Sequence, residues 1–265
     1  MMYISVIVPT YKPGEYIWEC LDSLERQTLS KAHFEVIIVL NGCNEPYYTQ
    51  LKDYISRSQV QYNFIHIEEG GVSNARNIAL DTAKGEYITF IDDDDFVSPS
   101  YLEELYENSS CDTMALCYPY AFNDGDMTQR PYRITAQYEK RVQYGVQAYW
   151  KNRKFFSGPC MKLIPKKYIK DRRFDCRFKN GEDCLFMFLI SDEFKWTKFT
   201  SRDAIYYRRV RNNSANFRKR TLCDKIGNSI KLMLAYIKIY IFNLNKYNFC
   251  FFSTRVLGAI KTLLA

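Results

Sequence analysis

Tyr87-Ile88-Thr89-Phe90-Ile91 is a run of strand-forming residues that empties directly into Asp92-Asp93-Asp94-Asp95. Adjacent carboxylates repel one another and resist burial. The apolar run must therefore be an interior strand whose carboxyl end opens where cations or water can reach. Three earlier segments also read as strands: residues 5–8, ending at Pro9; residues 34–40, stopped by Asn41-Gly42; and residues 62–67. Between them Ile17, Cys20, Leu21 and Leu24 recur at helical spacing, as do Leu51, Tyr54 and Ile55 within 46–58, and Ala75, Ile78 and Ala79 behind Ser73 as N-cap. Strands alternating with helices at such short intervals predict parallel βαβ units, an α/β fold with a Rossmann-like, mostly parallel sheet flanked by helices. Ligands of such sheets lie beyond the carboxyl ends of the strands. Thr10, Asn41, Glu68-Glu69 and the aspartates should share one crevice.

The chemistry available there is bounded by composition. The chain of 265 residues buries one substantial core. It has only two histidines, His33 and His66, so any metal must rely on oxygen ligands. A hard cation beside one or two carboxylates usually bridges to phosphates; the plainer alternative is a solvated turn with Asp95 or Ser98 as a helix cap. Nine scattered cysteines without a CxxC pair, and no basic-then-apolar leader, point to free thiols in a reducing cytosol. The net charge of +7 resides in residues 219–265, which carry eight Lys or Arg against Asp224. No nucleic-acid partner is expected. In that tail Asp224, Lys231, Lys238 and Asn245 form a narrow heptad stripe opposite a broad apolar face. Such a helix lies on an anionic membrane surface or packs on the domain or a partner subunit. No stretch is apolar enough to predict a spanning helix.

Val6-Ile7-Val8-Pro9-Thr10-Tyr11, then Gly70-Gly71-Val72-Ser73-Asn74-Ala75-Arg76-Asn77, then residues 85–95 stand in an order and at intervals that resemble the family 2 glycosyltransferases. Ser157-Gly158-Pro159-Cys160-Met161-Lys162-Leu163 and Gly181-Glu182-Asp183 extend the likeness to about residue 216. The resemblance implies a GT-A fold, with a nucleotide-sugar half at 1–97, an acceptor half at 98–218 and a basic amphipathic helical extension at 219–265. It implies an inverting enzyme that moves a sugar from a nucleotide-diphosphate donor, a UDP-sugar, to a hydroxyl of a glycan or lipid-linked acceptor in cell-surface polysaccharide synthesis. Such an enzyme would be cytoplasmic, peripheral on the inner face of the cell membrane.

Carried over by position, Pro9, Thr10 and Tyr11 would line the base and ribose, and Arg76 would help hold the nucleotide. Asp92 and Asp94 resemble the DxD pair, Asp92 near ribose and metal and Asp94 the direct ligand of Mn2+ or Mg2+, with Asp93 between them at the variable donor-side position. Asp183 would be the general base, beside Glu182 on the acceptor side. Two departures stand out. Leu40 and Asn41 replace an acidic pair that reads the base in many members, although Asn41 keeps the capacity to bond a uracil edge. Arg211 replaces a late histidine; it cannot ligate metal but can pair bidentately with a diphosphate. Tyr118, Tyr120, Trp150 and Phe156 are candidate platforms for an acceptor sugar. Two other readings stay open: a sugar nucleotidyltransferase, whose Gly-rich basic loop is missing from residues 9–14, and a non-catalytic GT-A scaffold or binding subunit, which Leu40 would suit.

Overall fold

Every residue of β1 (Ile4–Thr10) and, beyond helix α1 (Tyr16–Glu25), of β2 (Phe34–Asn41) is buried, as continuous apolar runs require. The computed structural model describes residues 2–211 and 221–264. The first half continues through α2 (Tyr47–Ser56), β3 (Gln61–Ile67), α3 (Val72–Thr82) and β4 (Tyr87–Phe90). These four strands are parallel in the order β4-β1-β2-β3, so the expected α/β architecture is present. Ser73 is not the cap of α3. That helix starts at Val72 behind Gly71, whose φ of 150° suits glycine, and Ser73 is buried in the first turn.

The second half runs β5 (Phe96–Val97), α4 (Tyr101–Glu107), β6 (Thr113–Leu116), β7 (Tyr118–Asn123), β8 (Asp126–Gln129), α5 (Arg133–Arg141), β9 (Gln147–Ala148), the 3-10 segment Tyr149–Ser157, β10 (Ile164–Pro165), α6 (Lys166–Ile169), α7 (Glu182–Leu189), β11 (Trp196–Phe199) and β12 (Ile205–Val210). β10 adds antiparallel to β4, while β5-β12-β7-β8 and β6-β11-β9 form two further sheets. The polar stretch 123–143, irregular by sequence, contains the β7–β8 hairpin and α5. The buried face of α5 is Ile134, Thr135, Gln137 and Tyr138, half of it polar, which is why no apolar period was visible. Its polar groups are satisfied: Thr135 donates to the Pro119 carbonyl at 2.6 Å and Tyr138 to that of Thr200 at 2.7 Å.

The boundary drawn at 218/219 and the cations Lys219 and Arg220 lie outside the described residues. Beyond them α8 (Leu222–Ile241) and α9 (Phe249–Leu264) form a hairpin. Because α8 ends at Ile241, Asn245 falls outside it and the heptad stripe is shorter than expected. The apolar surface divides. Leu232, Tyr236, Tyr247 and Phe251 are buried, the three rings 5.0–6.0 Å from that of Phe188 on α7. Fully burying one such side chain stabilises by about 1.5–3 kcal/mol. Ile226, Ile230, Leu234 and Ile241 face outward instead.

The hairpin also seats on the turn before α7. Gly181 has φ +83°, and a Cβ there would lie 2.5 Å from Leu232 Cδ1. Asn228 Nδ2 donates to the Asn180 carbonyl at 3.1 Å. Gly181→Ala should therefore cost about 1–2 kcal/mol in backbone strain alone, before any contact with Leu232. In urea unfolding, Gly181→Ala with Leu232→Ala should destabilise by less than the sum of the single variants. Strict additivity, or no loss in Gly181→Ala, would contradict this seat.

Candidate active site

Beyond β4 the four aspartates fold into a turn, the Asp95 N–H donating to the Asp92 carbonyl at 3.0 Å. Their side chains diverge to separate partners. Asp92 Oδ1 accepts from Arg76 Nη2 at 2.9 Å, and Asp93 Oδ2 from the Thr10 hydroxyl at 2.5 Å. Asp94 Oδ2 accepts from Arg211 Nε at 2.7 Å and Nη2 at 2.6 Å. Asp95 accepts from the Tyr206 hydroxyl at 2.7 Å and the Arg209 N–H at 2.8 Å. This dispersal answers the repulsion that the sequence posed. Burial pushes the Asp93 carboxyl up to about 7, and burial with neighbouring carboxylates raises those of Asp94 and Asp95.

Arg76, on α3 and only 3% exposed, reaches both acidic motifs. Its Nη1 donates to Asp183 Oδ1 at 2.7 Å while its Nη2 serves Asp92. The guanidinium lies 5.4 Å from the centroid of the Phe174 ring, which stacks at 3.9 Å on Phe186 of α7. Asp183 sits in the first turn of that helix behind the left-handed Gly181. Its carboxyl is raised above the usual range by burial, a rise that Arg76 opposes.

One open cleft of about 1130 Å3 takes in Pro9, Thr10, Tyr11, Asn41, Arg76, Asp92, Asp93, Asp94, Glu182, Asp183 and Arg211. Tyr11 stands at 49% exposure. Asn41 differs from its expected use as a reader of the base. Its Nδ2 donates to the Thr10 carbonyl at 2.7 Å and its Oδ1 accepts the Gly71 N–H at 2.8 Å, so the amide shapes the floor. Beside it a Cβ on Gly42, at φ +64°, would meet Gly70 Cα at 2.7 Å; β2 and the 70–71 turn touch backbone to backbone.

The aromatic platforms go elsewhere. Tyr118 and Trp150 are not among the described lining residues. The Tyr118 ring meets Tyr138 edge-on at 5.0 Å, and Trp150 packs half-buried against the core. Tyr120 donates to the Met127 carbonyl, and Phe156 is fully buried. Sequence reasoning missed Tyr206, whose hydroxyl accepts the Asp92 N–H at 3.2 Å, because no motif marks it. It also missed Arg130 and Tyr132, which strand pairing between β12 and β7 brings beside Arg208.

Among the described residues no three His, Cys, Asp or Glu side chains form a ready metal cage. Asp92 and Asp94 instead offer one or two oxygens at the cleft wall, the donor set of a hard cation that completes its shell with phosphate and water. The Arg211 guanidinium on Asp94 shows that this carboxylate takes a cationic partner. The residues fit Mn2+ or Mg2+.

Comparisons with known proteins agree with this geometry. The family model described as Glycosyl transferase family 2 matches residues 5–173. Glycosyltransferase GlyG of Streptococcus pneumoniae serotype 4 is 30% identical over 188 residues, 65% of this chain and 62% of that protein. The uncharacterized glycosyltransferase EpsJ of Bacillus subtilis is 41% identical over 106 residues, 40% of this chain and 30% of that protein. The poly(ribitol-phosphate) beta-N-acetylglucosaminyltransferase TarS of Staphylococcus aureus is 35% identical over 104 residues, 39% of this chain and 18% of that protein. These matches span less than two thirds of the relatives' own length. In fold, the crystal structure of S. aureus TarS 1-349 in complex with UDP-GlcNAc gives a TM-score of 0.76 at 22% identity, over 98% of this chain and 72% of that one. A mannosyltransferase from Pyrobaculum calidifontis in complex with GDP-Man and Mn2+ gives 0.62 at 17%, over 98% and 69%. The architecture is GT-A. With the family model covering well over half of its length, the chain belongs to glycosyl transferase family 2.

Proposed function

We propose that this chain transfers a sugar from a UDP-sugar to a hydroxyl of a glycan or lipid-linked acceptor, with inversion, in cell-surface polysaccharide synthesis. One observation carries the reading: a single guanidinium, that of Arg76, holds Asp92 and Asp183 together on one cleft. Pro9, Thr10 and Tyr11 would receive the base and ribose over the floor that Asn41 shapes. Mn2+ or Mg2+ held by Asp94 and Asp92 would act as a Lewis acid on the departing diphosphate. Arg211 would pair with that diphosphate. The acceptor oxygen bonds to the anomeric carbon as the bond from that carbon to the diphosphate oxygen breaks. The electron pair leaves with the nucleotide, and the acceptor proton passes to Asp183. A single displacement inverts the anomeric centre.

A panel of nucleotide sugars with Mn2+ tests the reading by donor hydrolysis and identifies the donor. Asp183→Asn should bind UDP as the parent does and turn over about 10²–10⁴-fold more slowly; near-normal turnover would remove Asp183 from the mechanism. The active form of Asp183 is the carboxylate, and burial raises its protonation range. Activity should therefore fail on acidification above the ordinary Asp value of about 3.9.

The outer face of the α8–α9 hairpin supports a peripheral membrane contact. Ile226, Ile230, Leu234, Ile241, Phe242 and Phe249 are exposed, with Lys225, Lys231 and Lys246 exposed on the same hairpin. Among the described residues no helix is long and apolar enough to cross a membrane. Each lysine near an anionic surface contributes about 1 kcal/mol, lost with salt. The protein should co-sediment with phosphatidylglycerol vesicles at low salt, and Leu234→Glu with Ile241→Glu should abolish this while leaving UDP binding intact. Undiminished sedimentation of that variant would contradict the contact.

A further inference from the structure

Asp183 presents its two oxygens differently. Oδ1 is engaged by Arg76, whereas a Cβ built on Gly158 would lie 3.9 Å from Oδ2, with no other atom of the described residues beyond its two chain neighbours within 4 Å. Gly158 sits at φ −156° and ψ 168°, extended backbone open to any residue. Glycine is therefore not required by conformation at this position. What it provides is room for about one methyl group beside the second oxygen of the base.

The backbone around that space is held from beneath. Lys162, fully buried, donates through Nζ to the carbonyls of Gly158 at 2.6 Å and Cys160 at 2.5 Å. Arg255 of α9 donates through Nη2 to the carbonyl of Phe156 at 2.8 Å and to that of Arg153 at 3.2 Å, its guanidinium 4.4 Å from the Phe251 ring centroid. Cys184, next to Asp183, donates to the Ser157 carbonyl at 3.1 Å. A buried ammonium whose partners are neutral carbonyls is a costly way to stabilise a fold, and burial holds the Lys162 ammonium down at about 8. Two cations and a thiol thus hold four of the five carbonyls of residues 156–160, opposite the base.

We propose that Gly158 is the acceptor aperture of this enzyme, the gap through which a polyol or sugar hydroxyl reaches Asp183 Oδ2, and that Lys162 and Arg255 are positioning residues that set its width. The inference rests on Asp183 being the base. Among the described residues a Cβ on Gly158 would reach Asp183 but none of Pro9, Thr10, Tyr11, Asp94 or Arg211, so access to the base can be altered apart from the residues expected to take the nucleotide.

The test uses the donor found by the nucleotide-sugar panel, with water and glycerol as competing acceptors. Gly158→Val should lower glycerol transfer about tenfold or more, the worth of even one extra methylene in a fitted site. Hydrolysis by water should change far less, and UDP affinity should hold. Glycerol transfer that persists in Gly158→Val, or falls in step with hydrolysis and UDP affinity, would overturn the aperture, as would a parent enzyme that hydrolyses donor yet makes no glycerol product. Arg255→Met, at a residue that touches Cys184 and not Asp183, should raise the KM for glycerol with UDP affinity unchanged, and Arg255→Lys should recover part of it. If Gly158→Val does not fold, an unchanged glycerol KM in Arg255→Met overturns the proposal by itself. A panel in which the parent cleaves no nucleotide sugar would instead defeat the transferase reading.

Discussion

Four adjacent carboxylates at the end of a buried strand can exist only if each finds its own partner, and the chain is organised around meeting that demand. Thr10 comes from the end of β1, Arg76 from α3, Tyr206 and Arg209 from β12, and Arg211 from just beyond it. An uncompensated buried charge costs several kcal/mol, so the cluster favours complete assembly over partial assembly. The same contacts tie the first half of the chain to the late strand β12, and through Arg76 to the turn that carries Asp183. Site geometry and fold stability are therefore set by one network.

The parts legible in the sequence are those whose signal is local. β1, β2 and β4 are continuous apolar runs with polar stops, and each stop delivers a side chain to the cleft. Asp92, Asp94 and Asp183 belong to short motifs, and they do line one space. The failures are equally physical. α5 buries Thr135 and Gln137 through hydrogen bonds, so hydrophobic periodicity could not find it. Arg76 lines the cleft, but its bridge between Asp92 and Asp183 joins segments far apart in the chain and leaves no local trace. Tyr206 joins the site only because β12 pairs with β5 and β7, a long-range fact without a local trace.

The C-terminal hairpin packs against the segments that carry and face Asp183. The family match ends at residue 173, yet Asp183, its left-handed Gly181 and both tail helices lie beyond it. Leu232 and Asn228 brace the turn before Asp183, and Arg255 holds the segment that faces it. One face of the hairpin is thereby packed against the site, while Ile226, Ile230, Leu234 and Ile241 are exposed on another. A helix pair of this kind couples Asp183 and residues 156–160 more tightly than its sequence suggests, since the stripe visible there describes only its polar edge.

Whether the aspartate turn holds a cation shared with a nucleoside diphosphate is accessible by titration calorimetry. UDP should bind the parent protein about tenfold or more tightly with Mn2+ than without, a coupling of ordinary size between two ligands that meet at one site. In Asp94→Ala that metal dependence should vanish. Equal UDP affinity with and without Mn2+ in the parent would contradict the role given to Asp92 and Asp94.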